Sequence, residues 1–147
     1  MRRQVILDTG PLVAFLNRQD TYHNWSVAQW SEILPPMLTC EAVLSEACFL
    51  LRWQDKGREH IFELLRRKTI HIPFRMNENI APLGDLMKKY DSIPMSLADA
   101  CLVRMAELFD ESSILTLDDD FTVYRKNKRQ AIPLLAPPAG LRSRMKE

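Results

Sequence analysis

Short apolar runs alternate with stretches of helical spacing from Val5 to Leu135, and this alternation constrains the fold more than any other feature. Val5-Ile6-Leu7 reads as a short buried strand closed by Asp8. Met37-Leu38-Thr39, Thr69 to Phe74, Ser113 to Leu117 and Ala131 to Leu135 read as further strands. Pro133 interrupts the last of these and assigns it to a sheet edge, where a missing N–H is tolerated. Pro11 suits the first turn of a helix capped by Asp8 or Thr9, with Leu12, Val13, Phe15 and Leu16 at helical spacing. His23 to Leu34 reads as a second helix, which Pro35-Pro36 ends. Further helices are predicted over Glu41 to Trp53, Gly57 to Lys68, Asn77 to Tyr90 and Ser96 to Phe109, the last being the most regular. Hairpin signals such as Asn-Gly are absent. Strands alternating with helices predict an α/β domain with a mostly parallel sheet and right-handed crossovers.

A chain of 147 residues suits one domain. We expect a single unit over 1–147, with a core from about residue 4 to 136 and a polar tail over 137–147. No apolar run approaches the ~20 residues of a membrane span. The basic start, Met1-Arg2-Arg3, leads into an apolar run too short for a signal peptide, which points to a cytoplasmic protein. Lys and Arg number 20 against 19 Asp and Glu. Net charge therefore does not announce a nucleic-acid binder, although a balanced total can hide an acidic site with basic rims. Cys40, Cys48 and Cys101 are odd in number, lack a C-x-x-C pair and read as buried free thiols. His23, His60 and His71 are scattered, which argues against a histidine metal site, and the chain has no phosphate-cradling glycine loop.

Four acids stand out. Asp8 and Asp118 each follow the C-terminal end of a predicted strand, the edge of a parallel sheet where ligands bind. Either also reads as an N-cap for the element that follows. Glu46 falls on or beside the apolar stripe of Val43, Ala47 and Leu50, where a carboxylate costs desolvation unless the position is a wet rim. Asp99 shares a helical face with Leu102, Val103 and Ala106, while Ser96-x-x-Asp99 equally forms a capping box. Carboxylates gathered in one place repel and resist ionisation, so such a cluster calls for a cation. Oxygen ligands without His or Cys favour Mg²⁺ or Mn²⁺ over zinc, and a site of this kind suits phosphoryl chemistry.

The motifs Ile6-Leu7-Asp8-Thr9-Gly10-Pro11-Leu12-Val13, Val43-Leu44-Ser45-Glu46, Ser96-Leu97-Ala98-Asp99-Ala100 and Thr116-Leu117-Asp118-Asp119-Asp120-Phe121 resemble, in order and spacing, the four acidic motifs of the PIN-domain ribonucleases. The resemblance covers about Val5 to Leu135. It implies a three-layer α/β/α sandwich around a mostly parallel sheet, and Mg²⁺- or Mn²⁺-dependent endoribonuclease activity. Small members of this size resemble VapC-type toxins, which implies an antitoxin partner and a homodimer. Carried over by position, Asp8, Glu46, Asp99 and Asp118 are the implied catalytic and metal-binding acids. Thr116 would hydrogen-bond Asp8 or a water, and Asp120 would be a supporting acid or a plain helix-start residue. Gly10 departs from the pattern, since a hydroxyl-bearing Ser is frequent there.

Substrate signals are thinner. Arg125, Lys126, Lys128 and Arg129 make the densest basic run, and Arg142, Arg144 and Lys146 a second. Each is either a solvated surface or a contact for RNA phosphates. Tyr22, Trp25 and Trp30 either stack bases or pack in the core. The apolar content of the first two helices and of Asn77 to Tyr90, including Trp25, Trp30, Leu83, Leu86 and Met87, suggests a dimer or antitoxin surface. Two rivals to the nuclease stay open: a PIN-fold binding module with a silent site, and a Mg²⁺-dependent phosphatase of haloacid-dehalogenase type. The second wants another Asp two residues after the first, where this chain has Gly10.

Overall fold

The computed structural model describes residues 1–138. The basic run Arg142, Arg144 and Lys146 lies outside the described residues, as does most of the expected tail. Strand β1 (Val5–Leu7) is buried throughout, and its side chains alternate between two cores. Ile6 joins one, while Val5 and Leu7 join the other. This is the outcome for a parallel strand covered by helices on both faces.

The other strands of the sheet are β2 (Met37–Leu38), β3 (Ile70–His71), β4 (Ser113–Leu115) and β7 (Leu134–Leu135). Their order is β3-β2-β1-β4-β7, and every pair is parallel. The chain winds outward from β1 in one direction and later returns beside it as β4. A crevice opens where the order reverses, beyond the carboxyl ends of β1 and β4.

Among the described residues six α-helices clothe the sheet: α1 (Thr9–Leu16), α2 (His23–Ser31), α3 (Glu41–Leu50), α4 (Gly57–Arg66), α5 (Ile80–Lys89) and α6 (Leu97–Leu108). One core gathers Leu12 of α1, Trp30 of α2, Leu44 and Ala47 of α3 and Ile61 of α4. The other gathers Leu83 and Leu86 of α5 with Cys101, Leu102, Met105 and Ala106 of α6. The result is the expected three-layer sandwich. Helix α6 is the most buried, as its apolar spacing predicts.

The structure departs from the sequence reading in several places: α2 ends at Ser31 rather than Leu34, and β3 keeps only Ile70–His71 of the strand expected over Thr69 to Phe74. Helix α3 stops at Leu50, so Trp53 stands outside it on a turn. Asn77 to Tyr90 divides into a 3-10 turn (Met76–Glu78) and α5, with the buried Asn79 between them. The single strand expected over Ala131 to Leu135 is two, β6 (Gln130–Ala131) and β7. Pro133 sits between them, and its carbonyl accepts a hydrogen bond from the N–H of Ile114, so the edge position holds for β7. Lastly, β6 pairs antiparallel with β5 (Arg125–Lys126), making a hairpin where the sequence shows no hairpin signal. Asn127 and Lys128 turn it in the left-handed region, with φ of 49° and 75°. Other elements hold the turn: the Asn127 N–H donates to Glu107 Oε2 at 2.7 Å, and Lys89 Nζ donates to the Lys128 carbonyl at 2.9 Å.

Trp30, Leu83 and Leu86 are buried within the chain's own cores, and Trp25 and Met87 are partly buried against them. These side chains therefore do not form the free surface that the sequence suggested. Trp30 stacks on Phe15 with ring centroids 3.9 Å apart, which removes it as a base-stacking platform. Cys40 and Cys101 are buried free thiols, while Cys48 is partly exposed. Among the described residues no helix is long and apolar enough to cross a membrane.

Candidate functional site

Asp8 leaves the end of β1 at the sheet's switch point and caps α1, its Oδ1 accepting the Thr9 N–H at 2.7 Å. The cap and the cleft are thus two roles of one side chain. Its Oδ2 accepts the hydroxyl of Thr116, also at 2.7 Å. Thr116 is fully buried just past β4, and its Oγ1 in turn accepts the Asp118 N–H at 2.9 Å. One threonine thereby ties the acid after β1 to the acid after β4. Asp118 caps a 3-10 turn (Asp119–Thr122), its Oδ1 accepting the Asp120 N–H at 2.9 Å.

The helices supply the other acids. Glu46 projects from α3 and is exposed, so it takes the rim position. The Thr9 hydroxyl donates to its Oε2 at 3.2 Å, linking it to the backbone that Asp8 caps. Asp99 lies in the first turn of α6, where the Ser96 hydroxyl accepts the Asp99 N–H at 3.0 Å. Its carboxylate is held from the other side by the Tyr124 hydroxyl, which donates to Oδ2 at 2.8 Å. Tyr124 has no exposed surface. Phe121 and Tyr90 pack edge-on against its ring.

All four acids singled out from the sequence line one open cleft of about 790 Å³. Asp119 and Asp120 line it too, and among the described residues no Lys, Arg or His does. The closest group is Asp99, Asp118 and Asp120, each of which offers an oxygen within 4.8 Å of the others. Asp120 therefore belongs to the group of acids whose oxygens lie nearest one another, while Asp8 and Glu46 line the same cleft outside that trio. Sequence reasoning did not find Thr9 or Tyr124. Tyr124 carries a weak local signal, an aromatic one helical turn after Asp120, but only the fold brings it to Asp99.

The electrostatics follow from this crowding. Burial pushes the Asp8 carboxyl up to about 7, against the opposing bonds from Thr116 and Thr9 and with added repulsion from Asp99 and Asp118. Burial also raises Asp99, partly offset by the Tyr124 hydrogen bond, and Asp118 raises it further. Asp120 is raised by desolvation and by Asp118. The Tyr124 hydroxyl is raised by burial and by its bond to Asp99, so it stays a donor. Among the described residues, no ion pair neutralises Asp8, Asp99 or Asp120.

A divalent cation fits the donor set. Mg²⁺ binds oxygen at about 2.1 Å, so two ligands on opposite sides of it lie about 4.2 Å apart. Oxygens within 4.8 Å of one another reach that spacing with small side-chain movements. Among the described residues the cleft's side-chain donors are all oxygens, which matches a hard cation.

The basic run from Arg125 to Arg129 belongs to the hairpin rather than to the cleft lining, and Arg125, Lys128 and Arg129 line a separate cavity with Lys89 and Glu107. Arg125 Nη1 donates to the carbonyls of Thr122, Val123 and Tyr124, which occupies much of its guanidinium. Gly10 also has a local explanation. A Cβ at that position would lie 3.1 Å from the Leu117 side chain, so a larger residue there would require Leu117 to give way by a few tenths of an ångström.

No curated protein matches the chain. The PIN domain family model matches residues 5–127, from β1 to the turn of the hairpin. PIN domains are generally nucleases that use divalent metals. With a match over most of its length, and an acidic cleft at the switch point of a parallel sheet, the chain belongs to the PIN domain family.

Proposed function

We propose that this protein is a Mg²⁺- or Mn²⁺-dependent endoribonuclease that hydrolyses RNA phosphodiester bonds. The observation that carries the reading is the convergence of Asp8, Glu46, Asp99 and Asp118, with Asp120, on one cleft that no cationic side chain lines among the described residues. Asp99, Asp118 and Asp120 would hold the ion most directly, and Asp8 and Glu46 would complete its surroundings. The bound cation would supply the positive charge that phosphodiester hydrolysis needs at the phosphate.

The chain's own residues do the rest. Thr116 fixes Asp8 and Asp118 relative to each other, and Tyr124 fixes Asp99. Thr9 ties the rim acid, Glu46, to the start of α1. These bonds hold the carboxylates in place before any ligand arrives, so little reorganisation is left for the reaction. Lys126, Lys128 and Arg129, with the remaining donors of Arg125, would attract RNA phosphates along the hairpin.

The same reading includes a biological setting. The resemblance to small VapC-type members supports a toxin role, with an antitoxin as partner, a homodimeric state and a cytoplasmic location. An upstream reading frame encoding a small DNA-binding protein would support it, and a solitary gene would count against it.

The test is RNA cleavage by purified protein with Mg²⁺ or Mn²⁺, with and without EDTA, beside p-nitrophenyl phosphate. RNA cleavage that EDTA abolishes is expected. Cleavage that survives chelation would overturn the metal dependence, and turnover of the monoester alone would favour a phosphatase. The silent-module rival predicts neither activity.

A further inference from the structure

We propose that Trp53, with Phe49 and Arg52, forms a base-stacking platform that anchors single-stranded RNA at the lip of the acidic cleft. This rests on the nuclease reading and names where its substrate is held. Trp53 is 84% exposed, Phe49 60% and Leu50 49%. They sit at the end of α3 and on the turn that follows, anchored by the buried Leu51. The Arg52 guanidinium lies 3.8 Å from the centroid of the Phe49 ring and 5.4 Å from that of Trp53. Its Nη1 donates to the Phe49 carbonyl at 2.6 Å, so the cation is held among the rings. Leu50, within the same strip, lines the cleft.

Three arguments favour an RNA base as the occupant. The cleft is lined by Asp8, Glu46, Asp99, Asp118, Asp119 and Asp120, so a polyanion approaches it against its own charge. Stacking is the attraction that this charge does not oppose, because it acts through the uncharged face of the base. Arg52 adds one cation for the adjoining phosphate and a second flat surface. The strip is also bounded by polar residues, since Gln54, Asp55 and Lys56 follow it directly. An indole left almost wholly in water, continuous with the cleft through Leu50, matches a single stacked base.

The test uses a short fluorescein-labelled single-stranded RNA of mixed sequence, and the same strand with abasic sites throughout. Both are titrated with wild type, Trp53→Ala and Trp53→Phe, with Ca²⁺ replacing Mg²⁺ to suppress cleavage. Trp53→Ala should weaken binding of the base-bearing strand on the order of tenfold. Trp53→Phe should retain most of the affinity, and the abasic strand should bind all three proteins alike. If wild type binds the base-bearing strand and Trp53→Ala binds it as tightly, the platform is overturned while the nuclease reading stands. Equal losses on both strands would overturn stacking as the interaction. A change of Trp53→Ala from dimer to monomer by light scattering, with RNA binding unaltered, would assign the strip to a protein interface instead. Wild type that neither binds RNA nor cleaves it with Mg²⁺ would remove the nuclease reading and the platform with it.

Discussion

Replacing Asp8 with Asn tests the electrostatic account at its most buried point. Asp8 is 7% exposed, and its carboxyl is raised from 3.8 to about 7. Well below pH 4 the acid is protonated in both folded and unfolded chains, and its burial carries no charge penalty. Between about pH 4 and 7 the folded chain keeps a proton that the unfolded chain releases, so stability falls as pH rises. Above pH 7 the penalty is complete. A gap of about three pH units at about 1.4 kcal/mol each gives about 4 kcal/mol. The Asn side chain has no such penalty. It does lose one of the two acceptor oxygens that serve the Thr9 N–H and the Thr116 hydroxyl, at about 1–2 kcal/mol at every pH. The two stability curves should therefore cross. In EDTA, Asp8→Asn should be less stable than wild type by about 1–2 kcal/mol at pH 4, and more stable by about 2–3 kcal/mol at pH 8. Asp99 and Asp120, whose carboxyls are also raised, are present in both proteins and largely cancel in the difference. Urea melts followed by far-ultraviolet circular dichroism across this range read the result directly. At pH 8 a cation at one hundred times its dissociation constant should restore about 2.7 kcal/mol to wild type, and much less to the variant. Curves that stay parallel from pH 4 to 8 would refute the reasoning, because Asp8 would then titrate as an ordinary carboxylate.

Three further substitutions follow from the geometry. Asp99→Asn should leave the metal-free protein as stable as wild type or slightly more so, because the Ser96 cap accepts from the backbone N–H and survives. RNA cleavage and the rise in melting temperature with Mg²⁺ should both collapse, and a destabilised but fully active variant would take Asp99 out of the site. Tyr124→Phe removes the buried donor to Asp99 Oδ2 and should cost about 1 kcal/mol of stability in EDTA. It should also raise the Mg²⁺ concentration needed for half-maximal cleavage, and an unchanged metal requirement would mean that Tyr124 serves packing alone. Glu107→Ala removes both the partner of Arg104 at 3.1 Å and the acceptor for the Asn127 N–H. A loss of about 1–3 kcal/mol is expected, with faster hydrogen exchange confined to the hairpin. Uniformly faster exchange would show that the hairpin does not open on its own.

The sequence by itself determined the elements whose signals are local. The apolar runs around Ile6 and Ile114, the proline-led start of α1 and the apolar face of α6 each lie within about ten residues, and each produced the expected strand or helix. The four acids were legible for the same reason. Two follow strands and two sit on helices with a clear apolar stripe, so their places relative to the sheet follow from element type alone. What remained hidden depends on contacts between distant parts of the chain. Thr116 reaches Asp8 across 108 positions, and Tyr124 reaches Asp99 across 25. The hairpin of β5 and β6 has no turn signature of its own, and Glu107 and Lys89 supply the bonds that hold its turn. Trp30 and Trp53 look alike in sequence, each beside helical residues. The fold buries Trp30 against Phe15 and leaves Trp53 in water, because α3 ends at Leu50 and the turn carries the indole past the edge of the core. Local propensity decides which segments become helix or strand. Only the packing of those segments decides which faces, and which acids, meet.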